Sequence, residues 1–140
     1  MPRRYWLMKS DPETFGWDDL LASPGRRTTW DGVRNYQARN YLRDEVQRGD
    51  GVLFYHSGEE KAVRGTCRVT RPGFPDPADA AWTAVEIAID RAFRRPVTLA
   101  AMREIDELQE MALLRKGSRL SVQPVSPAEW AVVVKQGQGR

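Results

Sequence analysis

The sequence predicts an α+β fold in which a curved or barrel-like sheet is flanked by short helices. Strand-like segments outnumber helical ones, and the helices fall between strands without a regular βα alternation. The length of 140 residues fits one domain and is enough to bury a sizeable core. We therefore expect a single domain over residues 1–140, with a frayed tail from about residue 136.

In the first third of the chain, strand and helix signals alternate. Residues 5–9 form a run of large apolar residues typical of a strand, which the following Asp-Pro pair ends. Residues 16–21 carry acids in the first turn of a short helix, and Ser-Pro-Gly stops it. Residues 35–46 have the helical period, with Asn35 as the predicted N-cap.

The middle of the chain is strand-rich. Residues 52–55 are a continuous apolar run and predict a buried central strand. Residues 63–69 and 85–89 alternate between apolar and polar side chains, which predicts two further strands. Between them, residues 71–77 contain three prolines and predict a loop.

The last third combines helix caps with one strand. Residues 98–105 predict a helix capped by Thr98, and residues 120–123 predict a late strand. Ser126 and Glu129, three positions apart with proline between them, form a capping-box signature for the final helix.

The charge distribution permits an acidic partner. Lys and Arg number 22 against 19 Asp and Glu, a net charge of +3, which is a mild excess. Residues 26–48 hold six of the arginines against three acids. Such a run can be a solvated face, but the aromatic and amide side chains interleaved with it favour contact with nucleic acid.

The amino-acid content also limits the cellular compartment and the classes of chemistry to expect. One cysteine, Cys67, excludes an internal disulfide framework, and no apolar run is long enough to span a membrane, so we expect a cytoplasmic protein without a membrane partner. His56 and Cys67 are too few for a zinc site. Phosphate-loop, dinucleotide and nucleophile-elbow motifs are missing from the sequence. We expect no metal, no cofactor and no catalysis, with Cys67 as a packed core thiol.

Residues 28–40 are the segment richest in recognition chemistry. They combine Trp30 and Tyr36 with amides and arginines, and they contain no His or Cys. This set suits stacking on a flat polar ring and hydrogen bonding to its edge better than bond breaking. Trp30 is the candidate stacking residue, although it can also be a core tryptophan, and Asn35 can cap its helix or bind a base edge.

Four separated segments, residues 5–12, 30–40, 53–57 and 115–125, resemble the EVE domain, the thymocyte nuclear protein family. The resemblance spans about residues 3–135. It implies a PUA-like bent β-barrel flanked by short helices, related to YTH and ASCH domains. It also implies a noncatalytic reader that holds a modified base in an aromatic-lined pocket. The base would be modified cytosine in DNA, or a modified base in RNA.

By this resemblance, the partner is nucleic acid bearing a modified base, and we favour a monomer. The implied pocket residues are Lys9, Ser10, Trp30, Asn35, Tyr55, His56, Ser57, Leu120 and Ser121. The implied phosphate contacts are Arg34, Arg39 and Arg119. Two roles stay open, because Tyr55 can be a core residue and His56 a structural one. Residues 72–82 are shorter than the insertion that many relatives carry, so contacts made by that insertion are in doubt.

Two other functions compete with this interpretation. A small ASCH-like amidohydrolase acting on a modified nucleoside would need Lys9 close to a carboxylate such as Glu86. A module that binds a small molecule or a protein through the same pocket is the third possibility. The reader hypothesis predicts that Trp30→Ala abolishes binding without unfolding the protein. Trp17, Trp82 and Trp130 are predicted to be core or helix-packing residues.

Overall fold

A computed structural model describes residues 3–115 and 120–138, which form a six-stranded mixed sheet with short helices. Its strands are β1 (Tyr5–Ser10), β2 (Arg27–Trp30), β3 (Gly51–His56), β4 (Ala62–Pro75), β5 (Thr83–Thr98) and β6 (Val122–Val125). The strand order is β2-β5-β4-β3-β1-β6, and β1 and β3 are the parallel pair. Because β2 and β6 are edges in this order, the sheet is not closed by hydrogen bonds into a ring.

Three α-helices lie between strands, namely α1 (Trp17–Ala22), α2 (Tyr36–Asn40) and α3 (Leu99–Arg103), and α4 (Pro127–Gly137) follows β6. A π-helical turn, Tyr41–Glu45, continues α2. The sequence places fraying from about residue 136, and α4 extends to Gly137. None of the helices in the described part of the chain is long and apolar enough to cross a membrane.

The predicted helix caps are confirmed. The Asn35 side chain accepts a hydrogen bond from Ala38 N at 3.1 Å, and Thr98 Oγ1 accepts one from Ala101 N at 3.0 Å. Ser126 and Glu129 form the reciprocal capping box before α4. These caps satisfy backbone donors that the first helical turn leaves without intrahelical partners.

The predicted loop over residues 71–77 is wrong, because β4 continues as a strand to Pro75. Register shifts between Val69 and Arg71 and between Arg71 and Phe74 interrupt the ladder with β5. Such bulges accommodate proline, which cannot donate to a regular ladder. The late strand is also displaced, since β6 is Val122–Val125 rather than residues 120–123.

The central strand β3 is buried on both faces of the sheet, as its apolar run predicts. Phe54 belongs to a first core with Trp30, whereas Tyr55 belongs to a second core with Val133 of α4. Alternate residues of one strand therefore serve opposite sides of the sheet. Cys67 is fully buried in the first core, and burial raises the pKa of its thiol, which confirms the predicted packed thiol.

Gly65 lies at a close contact between the sheet and Trp17 of α1. A Cβ at this position would lie 2.6 Å from the Arg91 carbonyl oxygen and 2.5 Å from the Trp17 ring. We expect Gly65→Ala to lower the free energy of unfolding by about 1–3 kcal/mol, the range for overpacking a core. Urea denaturation measures this loss. Gly16→Ala is the control, because its Cβ meets no atom closer than 3.4 Å; equal losses in the two variants would contradict the prediction.

Candidate functional site

A cavity of about 680 Å³ opens between the end of β1, the turn that follows it, and β2 with its outgoing loop. This volume lies within the range of small-molecule pockets, about 300–1,000 Å³. Its lining combines hydroxyl and charged groups with Phe15, Trp30 and Val33. The full lining is Lys9, Ser10, Asp11, Thr14, Phe15, Thr28, Thr29, Trp30, Asp31, Gly32, Val33 and Ser121. Four of the predicted pocket residues meet here: Lys9, Ser10, Trp30 and Ser121.

Backbone hydrogen bonds fix the floor of the cavity at the end of β1. Lys9 N donates to Ser121 O at 2.9 Å, which brings the segment before β6 against β1. Ser57 N donates to Ser10 O at 2.9 Å, and the Ser57 hydroxyl donates to the same oxygen at 3.3 Å. Ser57, a predicted pocket residue, therefore holds the strand end and is not among the residues that line the cavity.

The turn after β1 supplies one wall that sequence reasoning missed. Asp11 O accepts from Thr14 N at 3.0 Å and from Phe15 N at 2.9 Å, and the Asp11 carboxylate accepts from Glu13 N at 2.9 Å. The Ser10 hydroxyl donates to the Phe15 carbonyl. These bonds place Thr14 and Phe15 at the cavity. The signal was the Asp-Pro pair, which predicts a turn as well as the end of a strand.

Trp30, the last residue of β2, packs in the core and also reaches the cavity. It is 8% exposed and lies in the first core, where its ring meets Phe54 edge-on at a centroid distance of 5.7 Å. It also lines the cavity. Because so little of the residue is exposed, a ligand in the cavity contacts a small part of the ring rather than a whole face.

Asp76 anchors the loop after Trp30 from a position outside the cavity lining. Its side chain is 1% exposed. Oδ2 accepts from Gly32 N at 2.9 Å and from Arg34 Nη1 at 3.1 Å, and Oδ1 accepts from Ala78 N at 2.8 Å. Burial alone would raise the pKa of this carboxyl, but the two amides and the guanidinium outweigh it and lower the pKa. The Gly32 φ of +76° favours glycine in this loop.

Lys9 gives the cavity a cationic group. It is half-buried, and burial lowers the pKa of its ammonium below the ordinary value. Asp11 and Asp31 are the carboxylates in the lining. Glu86, the carboxylate named as an example for an amidohydrolase, accepts from the Thr70 hydroxyl at 2.7 Å and lies 3.8 Å from Arg27. Glu86 is not among the lining residues, so of the carboxylates in the described part of the chain only Asp11 and Asp31 line the cavity together with Lys9.

The remaining predicted pocket residues lie elsewhere. Asn35 caps α2, Tyr55 packs in the second core, and Leu120 packs against the first core. His56 is 6% exposed; its Nε2 accepts from Trp17 N at 2.9 Å, and its Nδ1 lies 2.6 Å from Glu60 Oε1. The Trp17 bond leaves the proton on Nδ1, which donates to Glu60. His56 thus holds the start of α1, which is the structural role considered for it.

The predicted phosphate contacts fall into two groups. Arg34 and Arg39 lie beside a stacked surface pair of rings, Tyr36 and Trp82, and Arg34 is bound to Asp76. Arg119 lies outside the described residues. Within residues 3–115 and 120–138, no group of three or more His, Cys, Asp and Glu side chains could hold a metal ion.

The other tryptophans match their predicted packing roles to different degrees. Trp17 is 3% exposed and packs edge-on against Phe54 in the first core. Trp130 of α4 stacks on Tyr5 with centroids 4.4 Å apart. Trp82 packs against the start of α2 but is half-buried at the surface.

Comparison with known proteins identifies similar chains. The EVE domain family model matches residues 4–136. Thymocyte nuclear protein 1 of Homo sapiens is 31% identical over 164 residues, which cover 93% of this chain and 72% of that protein. The structure of human THYN1 protein in complex with DNA containing 5-methylcytosine matches with a TM-score of 0.89 and 30% identity, covering 98% of this chain and 99% of that one.

A more distant likeness concerns the fold alone. The ASCH protein of Zymomonas mobilis, solved as a mutant, matches with a TM-score of 0.58 and 10% identity, covering 95% of this chain and 98% of that one. This likeness shows a similar fold.

Proposed function

This chain belongs to the EVE domain family, and from that membership and the cavity we propose that it is a noncatalytic reader of modified cytosine in DNA. The observation that carries the proposal is the cavity between β1 and β2, which combines aromatic and hydroxyl groups. A relative supports the proposal: the structure of human THYN1 in complex with 5-methylcytosine DNA matches nearly the whole of this chain.

The lining offers complementary contacts for a pyrimidine. Phe15, Trp30 and Val33 supply apolar surface for the ring and a methyl group. The Ser10 hydroxyl donates its proton to Phe15 O, so its oxygen accepts from a donor such as the exocyclic amine of cytosine. Ser121 and Lys9 supply donors for carbonyl and ring-nitrogen acceptors.

Burial of the methyl group is too weak to give sharp selection by itself. A buried methyl contributes about 0.8 kcal/mol, or roughly fourfold in affinity. Taking the base out of a duplex costs a few kcal/mol. Discrimination between modified and unmodified cytosine therefore also requires that the unmodified base fill the cavity poorly and leave polar groups of the cavity badly paired.

Blocking the cavity tests the proposal. Thr14 is an exposed lining residue, so Thr14→Trp fills the cavity without entering the core. We expect this variant to lose at least about tenfold in affinity for an oligonucleotide containing 5-methylcytosine, since it removes the contacts that distinguish the base. Fluorescence anisotropy with modified and unmodified oligonucleotides of one sequence measures the loss.

The matched control is Ala131→Trp, which adds the same ring at an exposed position of α4. It should bind as the parent protein does. Equal affinity of the parent protein for modified and unmodified oligonucleotides would refute the reader function. Release of product from acylated cytidine, lost in Lys9→Ala, would replace the reader with the hydrolase.

A further inference from the structure

We propose that Tyr36 and Trp82 form a second nucleic-acid subsite, a stacking platform for an unpaired nucleotide next to the one held in the cavity. Arg39 would meet the phosphate of that nucleotide. This inference rests on the proposed reader function and adds to it a site for the flanking strand. None of these residues lines the cavity.

The platform is an aromatic pair at the surface. Tyr36, the first residue of α2, is 67% exposed. Its ring stacks on half-buried Trp82 with centroids 5.0 Å apart and planes inclined by 28°. Trp82 supports Tyr36 from the protein side, and the exposure of Tyr36 leaves ring surface for a ligand. Every nucleobase has a face that can stack on such a ring, so the contact tolerates any sequence.

Two arginines surround the pair. The Arg39 guanidinium carbon lies 4.9 Å from the Tyr36 centroid and 5.7 Å from that of Trp82, and the Arg34 carbon lies 5.4 Å from Trp82. Arg34 is bound to the carboxylate of Asp76, whereas Arg39 donates to neutral oxygens, Asn40 Oδ1 at 3.0 Å and Ala81 O at 3.4 Å. The Arg39 charge is thereby ordered without being neutralised by these acceptors, which suits a phosphate.

Asp76 connects the platform to the cavity. Asp76 binds Gly32, which lines the cavity, and its own backbone N donates to Trp82 O at 2.9 Å. Asp76 thus holds the cavity loop through its carboxylate and the turn that presents Trp82 through its backbone N–H. Because Asp76 binds both the cavity loop and Trp82, we assign the platform to a nucleotide next to the one whose base enters the cavity. The charged and aromatic character of this surface favours nucleic acid over an apolar protein partner.

Tyr36→Ala tests the platform with Leu21→Ala as its control, since Leu21 is the other exposed large apolar residue among those described. The probes are single-stranded oligonucleotides containing 5-methylcytosine or cytosine, with an intact or an abasic nucleotide beside that position. We expect Tyr36→Ala to weaken binding of both intact probes by about 5- to 150-fold while keeping their affinity ratio. Tyr36→Phe should restore binding, and Leu21→Ala should not change it.

The abasic probes give the specific readout. If the platform stacks the neighbouring base, the abasic probe should bind the parent protein more weakly than the intact probe does. In Tyr36→Ala, where the stacking ring is already missing, the abasic and intact probes should bind with equal affinity. The platform would be overturned if Tyr36→Ala bound the probes as tightly as the parent protein does, or if the losses from the variant and from the abasic nucleotide were additive. A Tyr36→Ala variant with a changed oligomeric mass and an unchanged affinity for the probes would also overturn it. If the parent protein bound modified and unmodified probes equally while Tyr36→Ala still bound both more weakly, the reader function would be refuted and the platform would be retained.

Discussion

Trp30→Ala is expected to lower the free energy of unfolding by about 3–5 kcal/mol and to abolish binding of a modified base. The stability loss arises because Trp30 is 8% exposed and its ring packs edge-on against Phe54 in the first core. Its removal leaves a void that the surrounding side chains fill only in part. A loss of this size is a large share of the total stability of a domain, about 5–15 kcal/mol.

This expected result differs from the sequence-based prediction that Trp30→Ala leaves the fold intact. That prediction treats Trp30 as a loop residue whose ring stands free for stacking. In the structure Trp30 ends β2, pairs with Val85 and contributes to both the core and the cavity wall. Loss of binding in the alanine variant therefore does not separate recognition from folding.

Trp30→Phe makes the separation. Phenylalanine keeps an aromatic ring against Phe54 but removes the second ring of the indole, so we expect it to retain more stability than alanine. Urea denaturation gives the stability of each variant, and anisotropy measures the binding of modified oligonucleotide by the folded fraction. If Trp30→Ala were as stable as the parent, the packing described for this residue would be wrong.

The strands and helix starts that the structure confirms were predicted from short stretches of sequence. The apolar run before Asp11 and the run at residues 52–55 gave β1 and β3, because burial on both faces of a central strand requires successive apolar residues. Asn35 and Ser126 gave helix starts, because a cap acts within its own first turn. Such features depend on neighbours in sequence.

The cavity depended on partners that are distant in sequence, and there the predictions were less complete. Tyr55 follows Phe54 directly, yet strand alternation places it in the second core on the other side of the sheet. Phe15 reaches the cavity because the turn after β1 folds back onto Ser10. The bulged pairing of residues 71–75 with β5 likewise depends on tertiary register, which overrides the loop preference of proline and glycine.

Asp76 shows why a residue without a recognisable motif can control the site. It lies in a segment read from the sequence as a proline-rich loop, but its buried carboxylate binds Gly32, Arg34 and Ala78. Asp76→Ala leaves two backbone amides and one guanidinium without this acceptor. We expect a loss of about 3–5 kcal/mol in unfolding free energy. Most of it comes from the amides, because Arg34 is 42% exposed and solvent weakens its ion pair.

Binding should fall together with stability, because the Asp76 carboxylate holds Gly32 of the cavity loop and Ala78 of the turn that leads to Trp82. Asp79→Ala is the matched control: it removes an equal charge from an exposed position of the same turn. Denaturation and anisotropy on both variants measure the two effects. Equal behaviour of the two variants would show that the Asp76 hydrogen bonds do not hold the site.

The pH dependence supplies an independent readout of the Asp76 anchor. Its pKa is lower in the folded protein than in an unfolded chain, so folding favours the ionised carboxylate. The stabilisation is fully present above the unfolded value of about 4 and is lost as the pH falls from there through the lowered folded pKa. Stability of the parent protein should therefore drop more steeply below about pH 4 than that of Asp76→Ala, which lacks the titrating group. Identical slopes of unfolding free energy against pH in the two proteins would contradict the ionised anchor.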